Sequence, residues 1–181
     1  MRFLEHFRTA GVRHLLALAL ITVAWIPVAW TDVPLSVVKD ISSGETLDSD
    51  PREFHSVGNL TYFAADTLGT GLELWRTDGT EAGTILVKDI WPGGPGSEPN
   101  EFIGYNGIAL FDADDGVHGE ELWKTDGTEA GNEMVKDIYA GSEGSGPRYF
   151  FEYDNAIYFC ARTVAEGFEL SMDSCINLNT R

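Results

Sequence analysis

An acidic run in the middle of the chain carries the residue types that could bind a hard cation. Asp112, Asp114 and Glu120 lie close together around Gly116, and clustered carboxylate oxygens are the ligands that Ca²⁺ prefers in proteins. The spacing does not match an EF-hand loop, because the sixth position counted from Asp112 is a valine and the twelfth is a tryptophan. The run therefore predicts either one calcium site at Asp112, Asp114 and Glu120 or a set of solvated turn acids.

Two further sets of side chains recur at positions where they could contact a ligand. Lys-Asp pairs close three apolar segments, and a tryptophan precedes each of two Asp-Gly turns, which gives as candidate binding residues Asp40, Asp89, Asp137, Trp75 and Trp123. In the alternative interpretation each aspartate accepts hydrogen bonds from the loop that follows it, while the neighbouring lysine stays in solvent. The tryptophan rings would then cover the hairpins that they precede.

The sequence contains no recognisable catalytic constellation. His55 and His118 are the only histidines after residue 31, and neither lies beside a nucleophile motif. Paired carboxylates for glycoside hydrolysis need a defined separation in space, which sequence does not supply. We therefore expect a protein without enzymatic activity. The alternative is a propeller-type hydrolase or lyase acting on extracellular glycans, whose catalytic residues would be polar residues unique to one repeat copy.

The two cysteines lie near the end of the chain and are a candidate disulfide. An oxidising compartment would permit a bridge between Cys160 and Cys175. If the chain forms a hairpin that turns near Ala165, Cys160 faces about Ser171, and Cys175 lies roughly 13 Å further along the strand. A disulfide requires a Cα separation of about 6 Å, so this register predicts that a bridge needs the end of the chain to curl back.

Residues 1–31 have the pattern of a secretory signal. Arg2, Arg8 and Arg13 precede an uncharged stretch over Leu15–Trp30, which is typical of a signal peptide or, alternatively, of an uncleaved signal anchor. The sequence thus predicts a secreted or cell-surface protein that contacts membrane only through an uncleaved N-terminal segment. The chain has 29 acidic and 12 basic residues, which argues against nucleic acid as a partner.

A sequence repeat positions all of these side chains. The stretch Glu73–Thr84 returns almost unchanged as Glu121–Gly131, and an apolar segment recurs at the same interval as Val57–Phe63, Tyr105–Phe111 and Tyr153–Phe159. The segments are short, rich in aromatic and β-branched residues, and bounded by turn residues, which indicates strands. No helical periodicity persists through the glycines, so residues 32–181 are predicted to form one all-β repeat domain.

The repeat has the content of a propeller blade. Asp78-Gly79 and Asp126-Gly127 are tight-turn dipeptides, and four short strands in each repeat unit make one four-stranded blade. The predicted units are about 34–56, 57–104, 105–152 and a partial 153–181, which give about two and a half blades of an incomplete β-propeller-like array. Open strand edges in such an array predict self-association.

The repeated motif also resembles a known family. Glu-Leu-Trp-x-x-Asp-Gly-Thr at 73–80 and 121–128, followed by Val-Lys-Asp-Ile at 87–90 and 135–138, resembles the ELWxxDGT repeat family of secreted bacterial proteins. The resemblance implies a propeller-like array on an extracellular protein, without an established enzymatic activity for the repeat. The third copy departs from the motif, since Ser171 stands at the tryptophan position. We therefore expect a repeat module that binds a protein or glycan, or else a fragment of a larger propeller.

Overall fold

The computed structural model describes residues 36–42, 48–163 and 174–178, the last of these as backbone. The predicted signal segment 1–31 and the Ser171 position lie outside the described residues. Within the described residues the chain forms strands and turns and no helix. The same part of the chain accordingly holds no helix that is long and apolar enough to cross a membrane.

Three antiparallel sheets follow one another along the chain. Sheet 1 consists of β1 (Arg52–Val57), β2 (Leu60–Thr67), β3 (Gly71–Thr77) and β4 (Ile85–Lys88). Sheet 2 consists of β5 (Asn100–Tyr105), β6 (Ile108–Asp114), β7 (Glu120–Thr125) and β8 (Glu133–Lys136). Sheet 3 consists of β9 (Arg148–Tyr153), β10 (Ala156–Ala161) and β11 (Ser174–Leu178). The all-β prediction is confirmed, and the first strands of the three sheets begin at the predicted repeat interval.

The strands of the first two sheets pair in the same register. Phe63 lies opposite Trp75 in sheet 1, and Phe111 lies opposite Trp123 in sheet 2. The pairing of the first strand with the second is irregular between Arg52 and His55 and at the equivalent place in sheet 2. Such an irregularity is a β-bulge, which redirects the side chains at the start of a strand.

Successive sheets pack face to face through apolar clusters. Tyr62 and Leu74 of sheet 1 pack with Phe111 and Trp123 of sheet 2 in one buried cluster. A second cluster joins Leu110 and its neighbours in sheet 2 to sheet 3. Because the second strand of sheet 2 is covered on both faces, its sequence is an almost unbroken apolar run instead of an alternating one.

The Asp-Gly turns are longer than the predicted two-residue turns. In sheet 1 the connection runs from Asp78 to Thr84, since β3 ends at Thr77 and β4 begins at Ile85. The Oδ1 atom of Asp78 accepts hydrogen bonds from the Thr80 amide and hydroxyl. These bonds fold the connection back on itself, so the dipeptide starts a closed loop instead of forming a whole turn.

The register predicted for the cysteine hairpin is wrong. Strand β11 pairs with β10 so that Cys160 lies directly opposite Cys175 and Phe159 lies opposite Ile176. The prediction placed Cys160 opposite Ser171, because it assumed a short turn near Ala165. Directly opposed residues of antiparallel strands have Cα atoms about 4.5–5.5 Å apart, which is within the range of a disulfide. The candidate disulfide remains a prediction, but the backbone needs no additional bend to form it.

Candidate functional site

The glutamate of the repeated motif is a buried anchor for the following loop. Glu73 on β3 is fully buried, and its carboxylate accepts hydrogen bonds from the amides of Ile90, Trp91 and Ser97 at 3.0–3.1 Å. The Ser97 hydroxyl adds a fourth bond at 2.6 Å. Burial raises the pKa of Glu73, and these hydrogen bonds act in the opposite direction. The side chain therefore connects its sheet to the segment that leads to the next sheet.

The second copy of the motif repeats this arrangement. Glu121 on β7 is also fully buried, and it accepts hydrogen bonds from the amides of Ile138 and Tyr139 and from the Ser145 hydroxyl. Neither glutamate was among the binding residues predicted from the sequence. Their signal was a charged residue inside an otherwise apolar strand, followed at the same distance in each copy by a serine, Ser97 or Ser145.

The predicted binding residues are not collected at one site. Trp75 and Trp123 are buried in the packing clusters, so their rings have little surface to offer to a ligand. Asp40 and Asp137 are exposed. Asp89 is half-buried, and its Oδ1 atom has no hydrogen-bond partner among the described residues.

The lysines beside these aspartates join neighbouring units of the repeat. Lys39 donates a hydrogen bond from Nζ to the carbonyl of Thr84 at 2.8 Å, and Lys88 donates one to the carbonyl of Asn132 at 3.0 Å. The expectation that the lysines stay in solvent is therefore wrong for Lys39 and Lys88. The two donors, like the two acceptors, are one repeat length apart to within a single position, so the bonds are one contact that recurs along the chain.

Asp112 is a buried carboxylic acid that only one copy of the repeat contains. It lies on β6 with 4% of its surface exposed, and its Oδ1 atom has no hydrogen-bond partner among the described residues. Burial, followed by the negative charges of Glu120 and Glu101, raises the pKa of Asp112 to about 8. The equivalent positions in sheets 1 and 3 are Ala64 and Cys160. Asp112 is thus protonated in most molecules at neutral pH.

The other two predicted calcium ligands lie at the ends of the adjoining strands. Asp114 and Glu120 pair across β6 and β7, with Asp114 half-buried and Glu120 exposed. The Oδ1 atom of Asp114 accepts a hydrogen bond from the Gly116 amide at 2.7 Å. Within 36–42 and 48–163, no group of three or more acidic, histidine or cysteine side chains is arranged to hold a metal ion. The calcium site remains a prediction from sequence.

The loop between β6 and β7 is closed by its own side chains. Nδ1 of His118 lies 2.7 Å from Oδ2 of Asp115, and this hydrogen bond raises the pKa of His118. Asp115 also accepts hydrogen bonds from the amides of Val117 and His118. A Cβ atom at Gly116 would lie 2.5 Å from Nε1 of Trp91, so this tryptophan of the preceding connection covers the loop. We call this region, with Asp112, Asp114 and Glu120, the acidic loop end.

Sheet 3 carries opposite charge at the equivalent place. Arg162 occupies the position that Asp114 has in sheet 2, and its guanidinium donates hydrogen bonds to Glu143 at 2.6 Å and to the Tyr139 hydroxyl at 2.9 Å. The same group lies 4.0 Å from the centre of the Tyr139 ring. Sheet 1 has Asp66 at this position, whereas its equivalents of Asp112 and Glu120 are Ala64 and Leu72. The three acids therefore occur together in sheet 2 alone among the described sheets.

Comparison of the chain with protein-family models, with curated proteins and with solved structures gives no match.

Proposed function

We propose that this chain is a propeller-type repeat protein of the ELWxxDGT kind that acts outside the cytoplasm as a binding module. The proposal is supported by a difference between the polar residues that recur in each repeat and those that do not. The recurring ones, such as Glu73, Asp78 and Lys88, use their hydrogen bonds inside the protein. Ligand contacts then fall to polar residues that do not recur.

The observation that carries the proposal is Asp112. A carboxylic acid that is 4% exposed and keeps one oxygen without a partner costs stability, because a buried polar atom without a hydrogen bond loses its interaction with water. The first and third copies place Ala64 and Cys160 at the same position, so the fold does not require an acid there. A cost that the fold does not require is typical of a functional residue.

The charge around Asp112 favours a cationic ligand. Glu101 and Glu120 contribute negative potential at this acid, and the whole chain has a formal net charge of −17. Such a potential attracts basic groups and repels phosphate backbones. We therefore assign to the acidic loop end a protein partner that presents lysine or arginine side chains.

Titration with a lysine-rich peptide tests this function. The fluorescence of Trp91 reports on the acidic loop end because its ring lies against Gly116. We expect a saturable change that weakens with added salt and that weakens at least about tenfold in Glu120→Gln at neutral pH. Asp112→Asn should weaken it to a similar extent only above about pH 8, where the Asp112 carboxyl group is ionised. Asp154→Asn is the matched control, since Asp154 is an exposed acid in the turn between β9 and β10. Equal binding by all variants, or no binding, would refute the proposal.

A parallel titration with calcium chloride separates the two cationic ligands. Calcium binding to the folded chain would raise Tm with increasing calcium concentration. If Asp112→Asn and Asp114→Asn remove that increase, the acidic loop end is the calcium site that the sequence predicts. If calcium leaves Tm unchanged while the peptide binds, the site takes basic protein groups alone.

Asp112 also favours a second candidate function, glycan hydrolysis. A carboxylic acid that keeps its proton near neutral pH beside an ionised carboxylate is the pair that glycosidases use, and Asp112 has a pKa of about 8 beside Glu120. The deep burial of Asp112 works against direct contact with a sugar. Release of reducing ends from acidic and neutral polysaccharides by the wild-type chain, lost in Asp112→Asn, would establish this alternative over the binding module.

A further inference from the structure

Both internal interfaces of the array use the same pair of faces. Each sheet has a front face, which carries a stacked phenylalanine pair such as Phe102 and Phe111 with ring centres 5.3 Å apart. The opposite side is its back face. The back face of sheet 1 packs on the front face of sheet 2, and the back face of sheet 2 packs on the front face of sheet 3. A back face of this repeat is thus built to receive a front face.

The back face of sheet 3 is an exposed aromatic surface. Phe151 and Tyr153 are 52% and 68% exposed, and the ring of Tyr158 stacks on Phe151 at 5.2 Å. In sheet 2 the equivalent positions are Ile103 and Tyr105, and both pack against sheet 3. The back face of sheet 3 therefore has the side chains of an interface that the described part of the chain leaves uncovered.

One hydrogen bond fixes the contact between the back face of sheet 2 and sheet 3. The Tyr105 hydroxyl donates to the carbonyl of Asn155, in the turn between the first two strands of sheet 3. Tyr153 occupies the equivalent position on sheet 3, and the turn residue equivalent to Asn155 in sheet 1 is Asn59. The back face of sheet 3 therefore carries a hydroxyl group, that of Tyr153, which could donate a hydrogen bond to the carbonyl of Asn59 on a sheet with the geometry of sheet 1.

The front of the array is exposed in a complementary way. Phe54 on the front face of sheet 1 is 60% exposed, and Val37 and Val38 in the segment 36–42 are 83% and 44% exposed. These valines are equivalent to Leu86 and Val87 of β4, which pairs with the neighbouring strand β3. The apolar residues at the front of the array are thus exposed where their equivalents in β4 pair with a neighbouring strand.

The segment 36–42, which we call the leading segment, lies where the fourth strand of a preceding sheet would lie. Lys39 reaches the carbonyl of Thr84 in the same way that Lys88 of β4 reaches that of Asn132 in the next sheet. Ile41 packs against Phe63 and Trp75 of sheet 1. Sheet 3 in turn has three strands among the described residues, with β11 at its edge. Within that part of the chain, the leading segment is therefore a fourth strand without a sheet of its own, and sheet 3 is a sheet without a fourth strand.

We propose that two copies of this chain associate head to tail through these surfaces. The back face of sheet 3 packs on the front face of sheet 1 of a second copy, and the leading segment of that copy pairs with β11 as the fourth strand of sheet 3. The Tyr153 hydroxyl donates to the carbonyl of Asn59 across the interface. The two surfaces differ, so the contact is heterologous. Two copies joined in this way at both ends bring together the six sheets of their described residues, a number within the roughly 4–8 blades of closed propellers. The inference rests on the repeat geometry and not on the proposed ligand.

Sedimentation velocity of the full chain from about 1 to 100 µM tests the association. We expect wild type to form dimers, and Phe151→Asp or Val38→Asp to be monomeric, with affinity reduced more than about 30-fold. An equimolar mixture of the two variants should form a 1:1 complex, because each retains the surface that the other lacks. Val117→Asp is the control, since Val117 is exposed in the loop between β6 and β7 and should leave the dimer unchanged.

Each alternative outcome has a definite meaning. A monomeric wild type, or association that Phe151→Asp and Val38→Asp leave unchanged, overturns the proposal. A mixture of the two variants that stays monomeric shows a symmetric contact and also overturns it. Far-UV circular dichroism confirms that each variant is folded. Tyr153→Asp replaces Phe151→Asp if the latter is unfolded, because both side chains lie on the same exposed face.

Discussion

Glu73 and Asp112 are two buried acids in neighbouring sheets that differ in how fully their carboxyl oxygens are hydrogen-bonded. Glu73 receives four hydrogen bonds from the loop that leads to sheet 2. Asp112 keeps one oxygen without a partner among the described residues and faces the negative charges of Glu120 and Glu101. Burial raises the pKa of both. Both carboxyl groups accept backbone hydrogen bonds that oppose this effect, but for Asp112 the effect of burial and of the neighbouring acids is larger, and its pKa rises to about 8.

The difference separates the two uses of acids in this chain. The motif glutamate recurs at Glu121 with equivalent partners, so its hydrogen bonds belong to the architecture of the repeat. Asp112 occurs in one copy, and because burial favours its neutral form we expect it to lower the stability of its sheet at neutral pH. In a repeat protein, residues that recur with their partners report on the architecture, and residues that break the repeat at a cost report on function.

Removal of the Glu73 carboxylate should have the largest effect on stability. Glu73→Ala leaves the amides of Ile90, Trp91 and Ser97 buried without an acceptor, and we expect the free energy of unfolding to fall by about 4 kcal/mol. Urea denaturation measures the change. Glu81→Ala, which removes an exposed acid of the loop after β3, is the control and should change stability little. A loss for Glu73→Ala no larger than that of the control would show that the anchor is dispensable.

The pH dependence of the free energy of unfolding tests the predicted ionisation of Asp112. The unfolded chain releases this proton near the ordinary pKa of 3.8, whereas the folded chain keeps it to about pH 8. The folded state binds more protons in this window, so the contribution of Asp112 to stability is greatest below pH 4 and falls as pH rises towards 8. Between pH 5 and pH 7, wild type should lose about 3 kcal/mol relative to Asp112→Asn.

Urea denaturation of both proteins across that pH range provides the test. Glu98→Gln is the control, because Glu98 is an exposed acid close to the same strand: the carbonyl of its neighbour Ser97 accepts a hydrogen bond from the Asp114 amide. The stability of this variant should follow that of wild type across the pH range. Parallel curves for wild type and Asp112→Asn would mean that Asp112 ionises normally in the folded chain.

The Asp-Gly-Thr loop should give the smallest effect. The Thr80 hydroxyl donates to Asp78 and accepts a hydrogen bond from the Gly83 amide, and Thr128 makes the same contacts in sheet 2. Because these groups are exposed and water can replace their partners, we expect Thr80→Val to lower Tm by roughly 3 °C. Calorimetry should give a similar decrease for Thr128→Val, and the double variant should show the sum.

Repetition made most of the fold accessible from the sequence. The segments at Val57–Phe63, Tyr105–Phe111 and Tyr153–Phe159 have strand composition and recur at one interval, so their existence, type and order were predictable. The nearly unbroken apolar run Ile108–Phe111 is typical of a sheet covered on both faces, as the packing clusters show for sheet 2.

Features that depend on contacts distant in sequence were not predictable. The partners of Glu73 lie 17 to 24 residues away. The serine that recurs at a fixed distance marks a repeated position, but it does not identify the backbone amides that donate to the carboxylate. The register that opposes Cys160 and Cys175 depends on the length of their connection, which the third copy changes. Asp112 was identified as a candidate ligand from its charge, but its burial and raised pKa follow from packing between strands.

The most direct test of the account is a pair of isosteric neutralisations at pH 7, Glu73→Gln and Asp112→Asn, compared with wild type by urea denaturation. Each replaces a buried carboxyl group by an amide of nearly equal size. We expect changes of opposite sign in the free energy of unfolding: Glu73→Gln should destabilise the chain by about 2 kcal/mol, and Asp112→Asn should stabilise it. Destabilisation by both variants would contradict the account, because it would make Asp112 a structural acid like Glu73.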